Sequence, residues 1–316
     1  MREATIISAL LLACAGPGVA MLPRSCFALS TAAPPSLEEL IARAASVRER
    51  RAFGSALPEL TDAYSFPSTY HSVEVDGKRG FCNWLLPGGV MLGQYPGESP
   101  VHGPSAAEAA AHFAMCTSER ARISTWVCLQ TEVPAQDDDS GWPQGGVFLA
   151  PELRKRFPGP FTRYGPLAEA ATPRELWPPE FVHAPIVDLS TPDTPALRAL
   201  LGRLLDALEE RNSLRCRRRD RTRTQSCSGC EQCPREALYI HCWGGRGRAG
   251  LVGCALLSLL WPHAEADDIL RLVQGAYDTR AGAARMPVAL QSSPQTMGQR
   301  TFVRDFTDQV RATVGG

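Results

Sequence analysis

Eight residues constrain this 316-residue chain more than any others: His241-Cys242-Trp243-Gly244-Gly245-Arg246-Gly247-Arg248. They separate a short apolar run, Ala237 to Ile240, from an almost wholly apolar segment, Ala249 to Trp261. The first reads as a buried strand and the second as a buried helix, so the turn lies at a strand's carboxyl end, where open α/β sheets place ligands. Three glycines let the backbone curl with its N–H groups inward, and the following helix adds its positive N-terminal end. A phosphate dianion suits such a cradle. The same field favours a thiolate on Cys242, and the planar guanidinium of Arg248 can grip two phosphate oxygens where lysine would lose the fork. A cysteine before a glycine turn can also be simple packing, but packing does not require the arginine at its fixed offset.

The flanking pattern predicts the class. Ser36 and Glu39 form a capping box for a helix to about Arg51, and Phe81 to Pro96 reads as short apolar strands broken by Pro87-Gly88-Gly89 and Pro96-Gly97. An alanine-rich helix, Ser105 to Ala121, leads into a strand at Ile123 to Leu129; a polar turn-rich segment, Gln136 to Gln144, follows. Phe181 to Ile186 makes a further strand reaching Asp188, and the leucines at 197, 200, 201, 204, 205 and 208 mark a helix from Pro195 to about Arg211, capped by Asp193 or Thr194. Two more helices, about Ala264 to Tyr277 and Pro294 to Val310, complete the core. The expected fold is α/β: a central, mostly parallel, twisted sheet flanked by helices, with a strand–loop–helix site. The domain division reads as a leader over 1–35, a helical extension over 36–80, and a catalytic domain over 81–316 with an insertion at 212–234.

His241 to Arg248 resembles the HCxxGxxR signature of the protein tyrosine and dual-specificity phosphatase superfamily. Trp243-Gly244-Gly245 after the cysteine is most similar to the kinase-associated, Cdc14-like branch, over roughly Phe81 to Val310. The resemblance implies Cys242 as nucleophile, a phosphate loop formed by Trp243, Gly244, Gly245, Arg246, Gly247 and Arg248, and a supporting His241. It implies no cofactor and a phosphorylated protein as substrate. Expelling an alkoxide or phenoxide from a closed site independently calls for a proton donor. His183 to Asp188, followed by Thr191-Pro192-Asp193, resembles the family's general-acid loop, which makes Asp188 the acid with Asp193 as its rival. Ser293 to Gln299 resembles a glutamine-bearing segment near the active site, so Gln295 could position water, supported by Gln299; an ordinary polar helix start is the alternative. The sequence departs from the family at Ala249, where relatives carry a hydroxyl that helps break the phosphocysteine. That departure concerns rate rather than reaction class. A phosphatase of phosphoinositides or other phosphorylated small molecules, and a slow or inactive phosphate-binding module, remain alternatives.

Lys plus Arg equals Asp plus Glu at 33 each, so no overall field favours a nucleic-acid partner, and anion recognition must be local. The insertion is basic from Arg215 through Arg223, suiting an acidic or phosphorylated partner, and carries Cys227, Cys230 and Cys233 beside Cys216. Those four thiols are compatible with a structural zinc site or a redox disulfide, and a flexible basic loop is the plainer reading. Near the amino terminus, Ile6 to Leu12 form an apolar stripe behind Arg2, interrupted by Gly16-Pro17-Gly18. This reads as a targeting peptide rather than a membrane span, with a disordered start as the plainer alternative. Ser25 to Thr31, with no acidic residue until Glu38, resembles a bipartite plastid leader; without a leader the expected location is cytoplasmic.

Overall fold

The computed structural model describes residues 33–73, 77–100, 103–219 and 235–315. The expected leader lies almost wholly outside these residues, as do Cys227, Cys230 and Cys233; Cys216 lies in a described helix, but its side chain is not described. The strands are β1 (Thr69–Ser72), β2 (Gly77–Gly80), β3 (Cys82–Leu86), β4 (Val90–Gly93), β5 (Ile123–Gln130), β6 (Val147–Phe148), β7 (Pro160–Phe161), β8 (Glu180–Ile186) and β9 (Ala237–His241). The α-helices are α1 (Leu37–Arg51), α2 (Ala106–Thr117), α3 (Pro151–Arg154), α4 (Gly165–Ala171), α5 (Thr194–Arg219), α6 (Arg248–Leu260), α7 (Ala266–Asp278) and α8 (Met297–Gly315). Among the described residues, no helix is long and apolar enough to cross a membrane.

The central sheet has the order β3-β4-β9-β5-β8. Its last four strands are parallel, and β3 joins them antiparallel at one edge. Side chains alternate across a strand, and here the alternation divides the core by chemistry. Leu238 and Ile240 of β9, with Val127 and Leu129 of β5, face leucines 200, 201, 204, 205 and 208 of α5 and the buried side of α6. Tyr239, Trp126 and Cys128 from the same strands face the other way, into an aromatic layer with Phe113, Phe161 and Tyr164. Every residue of α6 is buried, so a helix that is apolar all round sits between the sheet and its neighbours. The Ser36–Glu39 capping box is present, and α1 buries Leu37, Leu40, Ala44 and Val47 in the same leucine core.

Several boundaries differ from the sequence reading: α2 ends at Thr117 rather than Ala121, α8 spans Met297–Gly315 rather than Pro294 to Val310, and the largest shift is in α5. Helix α5 continues to Arg219, into the segment assigned to the insertion. Arginine is a good helix former, and no glycine or proline intervenes until Gly229, so nothing local stops the helix near Arg211. At its other end Asp193 is the cap, its Oδ1 accepting from the Ala196 N–H at 2.7 Å.

The aromatic layer encloses two histidines. His112 hydrogen-bonds through Nδ1 to the Ser68 hydroxyl (2.7 Å) and through Nε2 to Tyr239 (3.2 Å), while its ring stacks on Phe81 at 4.1 Å. His241 Nε2 meets the Tyr164 hydroxyl at 2.7 Å. Burial pushes both imidazoles down to about 3, so both are neutral in the fold. The unfolded chain takes up these protons near pH 6.5 and the folded chain does not, so stability is full above that value and falls as pH drops below it. The unfolding free energy measured in urea should fall between pH 6.5 and 5 with a slope approaching two protons, about 1.4 kcal/mol per proton per pH unit. A flat profile there would contradict the burial of both rings as neutral groups.

Candidate active site

Register places His241 opposite Gly93 of β4 and Cys128 of β5, so the loop after β9 emerges at the carboxyl edge of three parallel strands. Cys242, 3% exposed, sits at its start. The loop's carbonyls are held from outside. Trp243 O accepts from the Tyr95 N–H (3.0 Å), Gly244 O and Gly245 O from Arg280 (3.3 and 2.9 Å), Arg246 O from the Ser293 hydroxyl (3.0 Å), and Gly247 O from the Leu251 N–H (3.0 Å). With five consecutive carbonyls turned outward, the intervening N–H groups point the other way, the arrangement of an anion nest. None of the N–H groups of residues 243–247 has an acceptor among the described residues.

Gly245 makes the curl possible. Its φ is +68°, and a Cβ there would stand 2.2 Å from the backbone of Gly93. Any other residue would both strain the backbone and collide with β4.

Arg248 opens α6, and its side chain is 1% exposed. Its two terminal nitrogens take both oxygens of Glu132 at 2.7 and 2.9 Å, a fork-on-fork pair, and Nη1 also donates to the Ile186 carbonyl at 3.0 Å. Asp188 stands 3.1 Å from Nη2 and is half exposed. Nε has no partner among the described residues. Burial opposes the charge on Arg248, but its hydrogen bonds to Glu132, with Cys242 and Asp188 nearby, outweigh it and hold its pKa above the ordinary arginine value.

The segment carrying Asp188 follows β8 directly. Leu189 adopts φ +60°, uncommon for a non-glycine residue, and Gln299 Nε2 donates to the Ser190 carbonyl at 3.0 Å, tying this segment to the start of α8. Gln299 Oε1 accepts in turn from the N–H groups of Gln295 and Thr296. Gln295 Oε1 accepts from Arg246 Nε at 3.2 Å, and Arg246 Nη1 donates to the Leu290 carbonyl at 2.9 Å. The Arg246 guanidinium is thus engaged by the turn before α8, while its backbone stays in the loop. Trp243 packs edge-on against Phe157 and Phe161, at 5.3 and 5.4 Å. Ala249 is fully buried behind Arg248.

Sequence reasoning missed Glu132 and Arg280. Glu132 lies two residues past the end of β5, and a carboxylate just beyond a parallel strand's carboxyl end was a usable signal. Arg280 is 6% exposed and reaches Asn83 (2.7 Å) and the Leu92 carbonyl (2.9 Å) besides the loop; nothing local in its sequence surroundings marked it. Elsewhere, Cys82, His112 and Cys116 bring ligand-type atoms within 4.8 Å of one another. Both nitrogens of His112 already meet hydroxyls, and Cys116 Sγ is 3.6–3.7 Å from each, a hydrogen-bonded cluster rather than a coordinating geometry.

No family model and no curated protein matches the chain. Among solved structures it is similar to kinase associated phosphatase with its catalytic-site cysteine substituted by serine: 16% identity, 80% of this chain and 99% of that chain covered, TM-score 0.39. It is also similar to Tk-PTP in the active form, at 15% identity, 77% and 99% covered, TM-score 0.35.

Proposed function

We propose that this chain is a cysteine-dependent phosphomonoester hydrolase of the tyrosine or dual-specificity type, acting on phosphorylated protein. The observation that carries the reading is the loop from Trp243 to Gly247, with its carbonyls held outward, ending on Arg248 whose buried Nε lacks an acceptor among the described residues. Such a cradle would hold the equatorial oxygens of a phosphoryl group as it becomes planar. Cys242 Sγ attacks phosphorus, forming the S–P bond as the P–O bond to the leaving group breaks. Asp188 gives its proton to that oxygen, and as carboxylate then takes one from the water that releases phosphate from sulfur. Glu132 keeps Arg248 oriented, and Gln299 holds the acid segment against α8. The engagement of Asp193 in capping α5 supports Asp188 over its rival.

Ala249 favours a second reading, a module that captures phosphate and releases it slowly, because its methyl group offers no hydroxyl to a phosphocysteine. p-Nitrophenyl phosphate under reducing conditions with chelator present separates the two. Hydrolysis should be metal-independent, with a burst of nitrophenolate if the second step is slow. Asp188→Asn should lower kcat/KM for an alkyl phosphate by about 10²-fold or more, and much less for the aryl ester, whose leaving group needs little protonation. An equal effect on both esters would remove Asp188 from the acid's role. Absence of turnover with tight phosphopeptide binding would favour the module.

A further inference from the structure

Between β5 and β8 the chain builds a small wall beside the Cys242 loop. Residues 147–164 carry four basic side chains, Arg154, Lys155, Arg156 and Arg163, against one carboxylate, Glu152, in a chain whose formal net charge is zero. Arg163 is paired with Asp139, whereas Arg154, Lys155 and Arg156 are exposed and have no carboxylate partner among the described residues. Aromatic rings hold two of these three cations. The Arg154 guanidinium lies over the Phe148 ring at 4.4 Å, and that of Arg156 over the Phe157 ring at 5.2 Å. The rings themselves are fixed by the backbone: Phe148 pairs with Pro160 across β6 and β7, and the Phe157 N–H donates to the Leu153 carbonyl at 2.8 Å. Guanidinium groups resting on fixed rings have less freedom to lose when a partner arrives.

The edge-on contact of Phe157 with Trp243 joins this surface to the residue directly after Cys242. With Phe157 alone between Trp243 and Arg156, the charges stand roughly three to five residues of extended chain from the loop. A polypeptide whose phosphoresidue enters the loop therefore passes over three cations that have no counter-charge of their own. We propose that Arg154, Lys155 and Arg156 form a docking surface for an acidic segment of the phosphoprotein substrate, close in sequence to its phosphoresidue. This rests on the phosphatase reading and narrows it to phosphoproteins with carboxylates on one side of the phosphate. An anionic bilayer fits the surface less well, because Arg154 covers the Phe148 ring and so places charge where an inserting ring would be needed.

The test compares ratios. kcat/KM is measured for phosphotyrosine peptides carrying three glutamates at positions three to five before, or after, the phosphoresidue, each against the same peptide with three glutamines. In the wild type at low salt, one of the two acidic peptides should be preferred by about tenfold, about twofold for each of three exposed ion pairs. The preference should sit in KM and shrink as salt rises. Arg154→Glu, Lys155→Glu and Arg156→Glu together should bring the ratio to one or below, and Arg154→Lys with Arg156→Lys should keep most of it. Both peptides of a pair use the same loop, so a partly unfolded variant lowers both rates and leaves the ratio readable. If p-nitrophenyl phosphate is hydrolysed but neither acidic peptide is preferred, or the triple variant keeps the preference, the docking surface is overturned and the phosphatase reading stands. Sedimentation with phosphatidylcholine–phosphatidylserine vesicles that the triple variant loses, without any peptide preference, would assign the surface to a bilayer and overturn the proposal as well. If no peptide is hydrolysed, calorimetric Kd ratios for the same pairs on Cys242→Ser decide by the same criterion, with equal or undetectable binding counting against it.

Discussion

Cys242→Ser should lower phosphomonoester turnover on the order of 10⁴-fold or more while leaving ligand binding near the wild-type level. The substitution exchanges one atom at a buried position, so the loop's N–H groups, the Arg248 fork and the carbonyl anchors of residues 243–247 remain. On the proposed mechanism what disappears is the nucleophile: a serine hydroxyl is a far weaker acid and a poorer nucleophile than a cysteine thiol. The signature is therefore a split between kcat, which collapses, and calorimetric Kd, which does not. A serine variant that turns over at the wild-type rate would remove Cys242 from the chemistry.

Arg248→Lys should cost kcat/KM about 10²–10³-fold, close to the effect of removing a preorganised donor from an oxyanion site. The formal charge survives, so a purely coulombic role would survive too. The geometry does not. Arg248 meets both oxygens of Glu132, the Ile186 carbonyl and Asp188, and still has Nε for a phosphoryl oxygen; an ammonium cannot serve these directions at once. Glu132 would keep a weaker, single-point partner, so the variant should also melt lower, a loss of about 1–3 kcal/mol for a partly buried carboxylate deprived of its fork. Glu132→Gln separates the contributions: it should lower kcat/KM less than Arg248→Lys, because the guanidinium remains present but less firmly aimed. A lysine variant within a few-fold of wild type would argue against Arg248 as the group that recognises the planar phosphoryl.

These two positions were legible in the sequence because their signals are local. Cysteine, glycines and arginine fall within eight residues between two apolar runs whose lengths distinguish strand from helix. The capping box at Ser36 and the leucine stripe of α5 are local in the same sense, and each forms as its spacing predicts. The parts that stayed hidden are partnerships set by topology. Glu132 and Arg248 are 116 positions apart and meet only because β5 and β9 lie side by side. Arg280 reads as one more arginine near a helix end until the fold buries it against the loop's carbonyls. Arg246 carried the opposite lesson. The motif placed it in the phosphate loop, yet its side chain reaches Gln295 and Leu290 in the turn before α8. The end of α5 was misjudged because a basic run looks like a loop by composition while arginine propagates a helix well.

The most direct test is to catch the intermediate. Full-length protein is mixed with an excess of p-nitrophenyl phosphate, quenched in the burst phase and digested, and the site of phosphorylation is read by mass spectrometry. Attack by Cys242, with hydrolysis slowed by Ala249, predicts phosphate on the Cys242 sulfur that accumulates within the burst and is missing from Cys242→Ser. Turnover with no phosphoenzyme at any quench time, together with an unimpaired Cys242→Ser variant, or phosphate on a different residue, would contradict it.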